Sequence, residues 1–358
     1  MLVNGRFLTR APTGVDRFAH ELLGALARRR GRPLRVAVPA ASELPARSEL
    51  LKVGRRAGNA WEQIDLPRVA AGDPLINLCN SAPLARENQL VVIHDAGSFA
   101  NAANYSRAFR AWYRVMHASL MRRARVVATV SRFSAGELNR LFPARRRALE
   151  VIPEGGEHIL RTGADRALLR RLGLEGRRYV LAVGSHSPNK NFRAVLQALR
   201  LLDDKDLLCV AVGRSNPRVF APVELQDERL CIAGAVGDAE LRALYEAAAC
   251  FVFPSYYEGF GLPPLEAMCC GCPVVVSDRA SLPEVCGQAA LYCKAEDPAT
   301  LAAALRRLLA SRQLRGELRQ AGHERSVLFN WDQAARRFDA LLNAYFTDCG
   351  SPVADHAA

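Results

Sequence analysis

The sequence predicts an α/β protein made of two Rossmann-like halves with parallel sheets. The chain has 358 residues, which is long for one hydrophobic core and sufficient for two domains of ordinary size. Short β-branched runs alternate with amphipathic stretches along the whole chain, as in parallel sheets with crossover helices. Hydrophobic residues make up 50% and charged residues 24%, which is the composition of a globular protein.

Nine strands are predicted, each a short apolar run that ends at a polar residue, glycine or proline. In the first half they are LRVAV (34–38), LINL (75–78), LVVIHD (90–95) and VVATVS (126–131). In the second half they are YVLAVG (179–184), LLCVAVG (207–213), LCIAG (230–234), CFVFPS (250–255) and PVVVS (273–277). Apolar residues at i, i+3 and i+4 predict helices over NFRAVLQALRLL (191–202) and AELRALYEAAA (239–249).

A domain boundary is expected near VIPEGGEHIL (151–160). It gives an N-terminal domain over 1–155 and a C-terminal domain over 156–335. Residues 336–358 are expected to form a C-terminal helix, able to pack back on the first domain, followed by a frayed tail from about Asp348.

The positive charge is concentrated in the first half. Residues 1–150 contain 25 Lys and Arg against 11 Asp and Glu, a net charge of +14, whereas the remainder carries −1. A one-sided basic surface can attract nucleic acid, anionic lipid or an anionic substrate, or it can be a solvated face of an arginine-rich protein. Nucleic acid is disfavoured because the sequence has no recognisable module and no interleaved aromatic residues.

The absence of a recognisable targeting signal and the pattern of cysteines predict a cytoplasmic location. The sequence has no apolar run of eighteen residues and no secretory signal at its start. Its ten cysteines are scattered, which favours free buried thiols in a reducing compartment over a disulfide framework. The CCGC cluster has no matching Cys or His pair at metal spacing, so no metal site is expected.

Four strands of the second half are followed by polar or glycine-rich loops: SHSPNKN, GRSNP, AVGD and YYEGFGLPP. In a parallel sheet the carboxyl ends of the strands lie at one edge, and ligands gather there. The four loops therefore predict a binding site at this edge.

The last of these loops places Glu258 and Glu266 eight residues apart around a glycine-proline turn. Gly259, Gly261 and two adjacent prolines exclude one continuous helix, and a proline suits the first turn of a helix that begins after them. The glycines allow a ligand to approach the backbone, and the helix N-terminus offers N–H groups to a phosphate. Since a carboxylate accepts hydrogen bonds from adjacent hydroxyls, the pair fits a nucleotide sugar. For Glu266 alone, pairing with the helix dipole is the competing interpretation.

Two further residues are candidates because of their place at the strand ends. Lys190, in SHSPNKN, is suited to neutralising a departing diphosphate, although a loop lysine is more often a surface residue. His94 ends an apolar strand, where a buried core histidine is the competing interpretation. Its position at a carboxyl end favours function, and the adjacent Asp95 is interpreted as an orienting or capping residue.

A series of motifs extends this interpretation to nearly the whole chain. They are NGRFLTRAPTGVDRFAHELL, VVIHDAGSF, VVATVSRFSAGEL, VIPEGG, LAVGSHSPNKN, GAVGDAELRALYEAA and YYEGFGLPPLEAMCCGCPVVVS. Together they resemble the retaining glycosyltransferases of family 4, whose E-x7-E signature matches the last motif. The resemblance is greatest to the bacterial branch that builds surface polysaccharides, including mannosyltransferases. It implies the GT-B fold, with two Rossmann-like domains whose parallel sheets face each other across a cleft.

The resemblance implies a role for each candidate side chain. Glu266 would bind the ribose hydroxyls of the nucleotide, and Glu258 would contact the donor hexose near its reacting carbon. Lys190 would bind the diphosphate, and His94 would reach the donor sugar.

Backbone groups are implied to hold the rest of the donor. They belong to Gly259, Phe260, Gly261 and Leu262 at the sugar or diphosphate, to Ala235 and Val236 at the base, and to Gly14 of the first half over the diphosphate.

Two segments depart from the family pattern. Ser185 and Asn189 stand where family members often carry an arginine, for which Arg214 is a possible substitute. Glu154 replaces the asparagine of the usual PNG turn. Its negative charge would weaken a direct phosphate contact, so this segment is interpreted as a hinge.

The resemblance implies a retaining hexosyltransferase of the EC 2.4.1 type that requires no metal and no separate cofactor. The first choice of donor would be GDP-mannose, and the next would be a UDP- or dTDP-hexose. The reaction would be a front-face displacement in which the leaving phosphate helps to deprotonate the acceptor. The alternatives are a non-catalytic nucleotide-sugar-binding protein, against which the glutamates and Lys190 argue, and an epimerase or phosphorylase of the same fold. The E-x7-E loop argues against an epimerase, and the missing pyridoxal phosphate lysine motif against a phosphorylase.

The basic first half is expected to receive the acceptor, a glycan or polyprenyl-diphosphate-linked glycan. An anionic membrane surface would suit its charge, so the protein is expected to lie in the cytoplasm, peripheral to the inner face of the membrane. The candidate contacts are the arginine runs 28–30, 122–123 and 145–147.

Overall fold

A computed structural model of the chain describes residues 1–10, 13–44, 49–100, 106–143, 149–184, 187–202, 204–213 and 227–346. Within these ranges the strands are β1 (Leu2–Asn4), β2 (Arg35–Pro39), β3 (Leu50–Val53), β4 (Leu75–Asn77), β5 (Gln89–Val92), β6 (Val126–Thr129), β7 (Glu150–Val151), β8 (Tyr179–Val183), β9 (Leu208–Val212), β10 (Leu230–Gly234), β11 (Cys250–Phe253), β12 (Val274–Ser277) and β13 (Ala290–Cys293).

The helices alternate with the strands. They are α1 (Gly14–Arg30), α2 (Gly58–Ala60), α3 (Leu66–Val69), α4 (Gly97–Ala100), α5 (Arg107–Arg123), α6 (Arg132–Leu141), α7 (Ala167–Arg171), α8 (Phe192–Leu202), α9 (Asp238–Ala247), α10 (Leu262–Cys269), α11 (Leu282–Cys286), α12 (Pro298–Ala310), α13 (Arg312–Val327) and α14 (Trp331–Phe346). Short 3₁₀ turns cover Arg6–Thr9, Glu157–Leu160 and Pro188–Lys190, and a π-helical turn, Trp61–Asp65, joins α2 to α3.

Two sheets, each with all neighbouring strands parallel, define two lobes. The first sheet has the order β3-β2-β1-β4-β5-β6-β7, and the second has the order β10-β9-β8-β11-β12-β13. In the second sheet the chain moves outward from β8 through β9 and β10 and then returns to β11, on the other side of β8. Such a reversal opens a crevice at the carboxyl ends of the two central strands, where ligands of doubly wound sheets bind. Two α/β lobes with this topology confirm the predicted fold class.

All nine strands predicted from the sequence are present, and their ends differ from the prediction by three residues at most. Both predicted helices are present as α8 and α9. Four strands, β1, β3, β7 and β13, were not predicted. β1 has only three residues, too few for a periodicity, yet it lies fully buried between β2 and β4.

The last helix, α14, packs on the first lobe. Trp331, at its start, and Phe338 belong to the same buried cluster as Phe18 and Leu22 of α1. The chain therefore passes from the second lobe back to the first before it reaches α14, and the helix begins five residues before the position expected from the sequence. The expected tail after Asp348 lies outside the described residues.

Candidate functional site

The loops after β8 and β11 meet at the crevice of the second sheet. The loop after β8 forms the 3₁₀ turn Pro188–Lys190, and Asn191 follows it in the left-handed conformation with φ 56°. The Asn191 side-chain amide donates to the carbonyl oxygens of Pro254, at 3.1 Å, and Ala295, at 2.7 Å. These hydrogen bonds fix the turn that carries Lys190 against the end of β11.

Glu258 and Lys190 form an ion pair at this crevice. Lys190 Nζ lies 2.7 Å from Oε1 and 2.8 Å from Oε2 of Glu258, so both carboxylate oxygens accept from one ammonium group. The two side chains are only 17% and 11% exposed, and Nζ lies 5.0 Å from the ring centre of Phe253. An ammonium group has three N–H donors, so one remains for a ligand oxygen.

Serine hydroxyls hold three consecutive carbonyl groups of the loop 256–261, here called the glutamate loop. The single O–H of Ser281 is shared between the carbonyl oxygens of Phe260, at 2.6 Å, and Glu258, at 3.0 Å. Ser131 and Ser134 of the first lobe donate to the carbonyl of Gly259, at 2.6 and 3.0 Å. The N–H of a peptide group points opposite to its carbonyl, so the loop is fixed with amides directed away from these serines.

Helix α10 begins immediately after the glutamate loop, as the glycine-proline pattern predicted. Gly261 precedes it with φ 108°, a conformation that strongly favours glycine, and a proline occupies the first turn. Within the described part of the chain, no hydrogen bond is made by the amides of residues 259–262. These amides provide donors for an anion at the start of the helix, where the next two residues, Pro263 and Pro264, have no N–H.

Glu266, on the inner side of α10, is 6% exposed and has partners for both oxygens. His158 Nε2 lies 2.9 Å from Oε1, and the hydroxyl of Tyr245 donates to Oε2 at 3.1 Å. The indole N–H of Trp331 donates to His158 Nδ1 at 3.2 Å. Because an indole can only donate, Nδ1 accepts and Nε2 must carry the hydrogen that reaches Glu266.

His158 thus connects Glu266 to the start of α14. Burial lowers the pKa of His158, but the hydrogen bond to Glu266 and the charge of Glu266 raise it by more than burial lowers it. The pKa of His158 therefore lies above its usual value. The indole N–H of Trp331 opposes this shift, since a proton on Nδ1 would bring two N–H groups face to face. No local pattern in PEGGEHIL indicates that His158 has a partner more than a hundred residues away.

The His94 side chain is buried in the first lobe. Its Nε2 lies 2.9 Å from the carbonyl oxygen of Leu78 and therefore donates to it, and its ring packs edge-on against Phe18 at 4.8 Å. Nδ1 lies 3.6 Å from a carboxylate oxygen of Glu154, the residue that departs from the family pattern. The ring is 3% exposed, so in this conformation it is enclosed by protein atoms.

The backbone of His94, rather than its ring, approaches the glutamate loop. A Cβ atom on Gly259 would lie 3.0 Å from the carbonyl oxygen of His94 and 2.9 Å from Cβ of Asp95. Glycine is therefore required at 259 for the first lobe to contact the loop. Asp95 accepts from the amide of Gly97 at 2.7 Å, at the start of α4, which agrees with its interpretation as a capping residue.

Gly14 is the first residue of α1. Arg17, one turn further on, forms a bidentate ion pair with Asp238 at 2.6 and 2.7 Å. Asp238 begins α9, directly after the loop that contains Ala235 and Val236. A Cβ atom added at Gly14 would meet no heavy atom within 4 Å. Gly14 thus lies one helical turn from the Arg17–Asp238 contact, with open space at the position of its Cβ atom.

Glu284 of α11 also links the lobes. Its carboxylate accepts from the amides of Arg132, at 2.9 Å, and Phe133, at 3.0 Å, which are the first two residues of α6. A carboxylate of the second lobe thus caps a helix of the first lobe. Sequence reasoning had no signal for this contact, or for the serine contacts, because each joins residues far apart in the chain.

The arginine runs proposed as acceptor contacts are partly used for packing. Arg29 and Arg30 bind Asp339 of α14 at 3.0 and 2.6 Å, and Arg28 lies 3.3 Å from Asp332. In the second run, Arg123 pairs with Glu87 at 3.1 Å, whereas Arg122 is exposed.

Some predicted residues lie outside the described part of the chain. They are the third arginine run (145–147), Ser185 and Arg214.

Nine described cysteines are free thiols, as the sequence predicted. Among the described residues, no three His, Cys, Asp or Glu side chains are grouped to hold a metal ion. None of the helices in the described ranges is long and apolar enough to cross a membrane.

Comparison with known proteins gives one family. The model of the glycosyl transferases group 1 family matches residues 166–325. The chain is 33% identical to the O-antigen chain mannosyltransferase B of Escherichia coli over 276 residues, which cover 74% of this chain and 71% of that protein. It is also 33% identical to the MMP alpha-(1->4)-mannosyltransferase of Mycolicibacterium hassiacum, over 65% of this chain and 57% of the relative.

Solved structures resemble the entire fold. A sucrose-phosphate synthase from Thermosynechococcus elongatus superimposes with a TM-score of 0.76 at 21% identity, covering 96% of this chain and 98% of that one. WaaG, a glycosyltransferase involved in lipopolysaccharide biosynthesis, gives a TM-score of 0.72 at 16% identity, covering 97% and 98%. These likenesses confirm the GT-B fold.

Proposed function

We propose, from the premise that this chain belongs to the glycosyl transferases group 1 family, that it transfers a hexose from a nucleotide diphosphosugar to a glycan acceptor. Mannose is the first choice for the sugar, because similar curated relatives, among them the O-antigen chain mannosyltransferase B, are mannosyltransferases. Two of these relatives are named as O-antigen chain mannosyltransferases, which supports surface polysaccharide synthesis as the setting.

The Glu258–Lys190 pair is the observation that carries this proposal. It lies at the crevice between β8 and β11, beside the amides of the glutamate loop and the start of α10. A diphosphate bound there would receive the third Lys190 donor together with these backbone N–H groups. Such preformed donors stabilise the negative charge that develops as the nucleoside diphosphate leaves.

We assign retention of the anomeric configuration to a front-face displacement. A double displacement would need a carboxylate free to attack the anomeric carbon. Both oxygens of Glu258 instead accept from Lys190, an arrangement suited to orienting a sugar hydroxyl and placing the ammonium. Because Lys190 and the amides supply the positive charge, the proposal requires no metal ion and no separate cofactor.

The donor is identified by thermal shift with GDP, UDP and dTDP. A ligand at a hundred times its dissociation constant adds about 2.7 kcal/mol to the free energy of unfolding. The corresponding sugar nucleotide is then incubated without acceptor, since slow hydrolysis distinguishes a transferase from a binding protein, and the configuration of the product is determined by NMR. A protein that binds none of the three nucleotides would refute the proposal, whereas binding without hydrolysis or transfer would favour a non-catalytic role. Loss of activity in EDTA would refute metal independence alone.

We also propose that the protein works in the cytoplasm at the inner face of the membrane, on a polyprenyl-diphosphate-linked glycan. The excess positive charge of residues 1–150 supports this location. Recovery of the protein only in the soluble fraction, at low and high salt alike, would contradict it.

A further inference from the structure

A cavity of about 540 Å³ opens between α4, α5 and α6 of the first lobe. We call it the basic pocket because arginines dominate its wall, which includes Arg107, Arg110, Arg114, Arg140, Glu137 and Phe99. Four arginines and one glutamate give it a net charge of +3. None of these arginines belongs to the runs that the sequence indicated.

Three of the arginines lie on one face of α5. Arg107, Arg110 and Arg114 have the spacing i, i+3 and i+7, which places their side chains next to each other on a helix. Like charges at such a spacing destabilise a helix. Within the described ranges none of the three forms an ion pair, and the buried Nε of Arg110 has no hydrogen-bond partner. The folded chain thus gathers these charges without neutralising them.

The opposite wall is held in place by its own contacts. Arg140 of α6 binds both oxygens of Glu137, at 3.0 and 2.9 Å, which fixes its guanidinium group at the edge of the cavity. Arg114 lies over the ring of Phe99 at 6.0 Å. Planar guanidinium groups from two helices therefore face the same space.

The basic pocket is a neighbour of the glutamate loop. Phe99 belongs to α4, and the amide of Ala96, just before that helix, donates to the hydroxyl of Tyr257 at 3.2 Å. Tyr257, which precedes Glu258, also packs edge-on against Phe133 of α6 at 5.5 Å. Burial is the main cause that raises the pKa of Tyr257. The charge of Glu137 also raises this pKa, and the charge of Arg140 lowers it. One tyrosine thus connects the pocket wall with the proposed reaction centre.

We propose that the basic pocket binds a phosphate or diphosphate group carried by the acceptor. This inference rests on the proposed function, because only a transferase has an acceptor. Guanidinium groups bind phosphate oxygens through two parallel hydrogen bonds, and several of them around one cavity match the charge of a diphosphate. By contrast, Arg28, Arg29 and Arg30 are paired with aspartates of α14.

The test measures binding of inorganic pyrophosphate by isothermal titration calorimetry to the whole chain, both with Lys190 intact and in a Lys190→Met background that removes the ammonium group of the donor site. Arg110→Gln and the exposed Arg107→Gln are each compared with Arg122→Gln, which removes the same charge from the same helix outside the pocket. We expect at least about tenfold weaker binding for the two pocket variants, or 1.4 kcal/mol, and less than about twofold for the control. Arg107→Gln keeps the test valid if loss of the partly buried Arg110 disturbs folding.

Lys190→Met separates this site from the donor site. Pyrophosphate binding that depends on Arg107 and Arg110 but not on Lys190 would support the pocket even if the donor assignment fails. Co-sedimentation with vesicles of phosphatidylcholine, with and without phosphatidylglycerol, identifies the source of the phosphate. If the pocket variants also lose binding to the anionic vesicles, the group is presented at a membrane, and if they do not, it belongs to a soluble acceptor. Pyrophosphate affinity that is unchanged in both pocket variants, or lowered equally in Arg122→Gln, overturns the proposal whatever the vesicles show.

Discussion

Replacing His158 by leucine should weaken nucleotide binding without disrupting the fold. In the wild type, Nε2 of this histidine lies 2.9 Å from Oε1 of Glu266, the carboxylate assigned to the ribose hydroxyls. The two side chains are 1% and 8% exposed, so water cannot readily replace the missing donor. The variant leaves one oxygen of a buried carboxylate without its protein partner.

The size of the effect follows from the contacts that remain. A hydrogen bond to a charged group is worth about 1.5–3 kcal/mol. We take the lower end, because the hydroxyl of Tyr245 still holds Oε2 at 3.1 Å. The free energy of unfolding should therefore fall by about 1.5 kcal/mol. Since the carboxylate must also be reoriented when the ribose binds, the dissociation constant should rise about tenfold.

Isothermal titration calorimetry with the nucleoside diphosphate that the wild type binds measures this change. His158→Gln is the matched control, because its amide can donate to Glu266 while its carbonyl accepts from Trp331. We expect glutamine to restore most of the affinity. Equal affinity in wild type and His158→Leu would refute the positioning role, and equal losses in the leucine and glutamine variants would show that only packing matters.

The pH dependence of stability gives an independent measure. The pKa of His158 is raised in the folded state, so its protonated form adds stability that is fully present below the unfolded pKa, about 6.5. This contribution is lost as the pH rises through the folded pKa. Wild type should thus gain stability relative to His158→Gln as the solution is acidified through that window. A difference that does not vary with pH would contradict the raised pKa.

Three further substitutions test other contacts. Glu258→Gln should lower kcat by about 10²-fold in a transfer assay, because the ammonium of Lys190 loses its anchoring charge; an unchanged kcat would remove Glu258 from the mechanism. Gly14→Val should change the free energy of unfolding by less than about 1 kcal/mol, since a Cβ atom there meets no atom within 4 Å. The same variant should weaken donor binding in titration calorimetry. Unaltered binding would place Gly14 outside the site. Glu284→Ala should cost about 1 kcal/mol in urea unfolding through loss of the cap on α6, whereas wild-type stability would show that the cap contributes nothing.

Much of the second lobe could be predicted from local patterns. Its strands β8, β9, β11 and β12 are runs of four or five residues that are nearly all buried, and the glycine-proline turn before α10 follows from the conformations that these residues allow. β1 escaped prediction because three residues are too few to show a period, although neighbouring strands bury it completely. The arginine runs suggested a surface for the acceptor, but adjacent residues of a helix point in different directions. Charges three and four residues apart, such as those at 107, 110 and 114, share a face.

The sequence alone determined the two α/β lobes, the glutamate loop and the side chains available at the strand ends, because hydrophobic period and backbone restriction act over a few residues. Only the tertiary structure decided how these groups are paired. Lys190 binds Glu258 across 68 residues, His158 binds Glu266 across 108, and Ser131 holds Gly259 across 128. Partners at such separations are chosen by the packing of the sheets and the return of α14 to the first lobe, which no local pattern of residues contains.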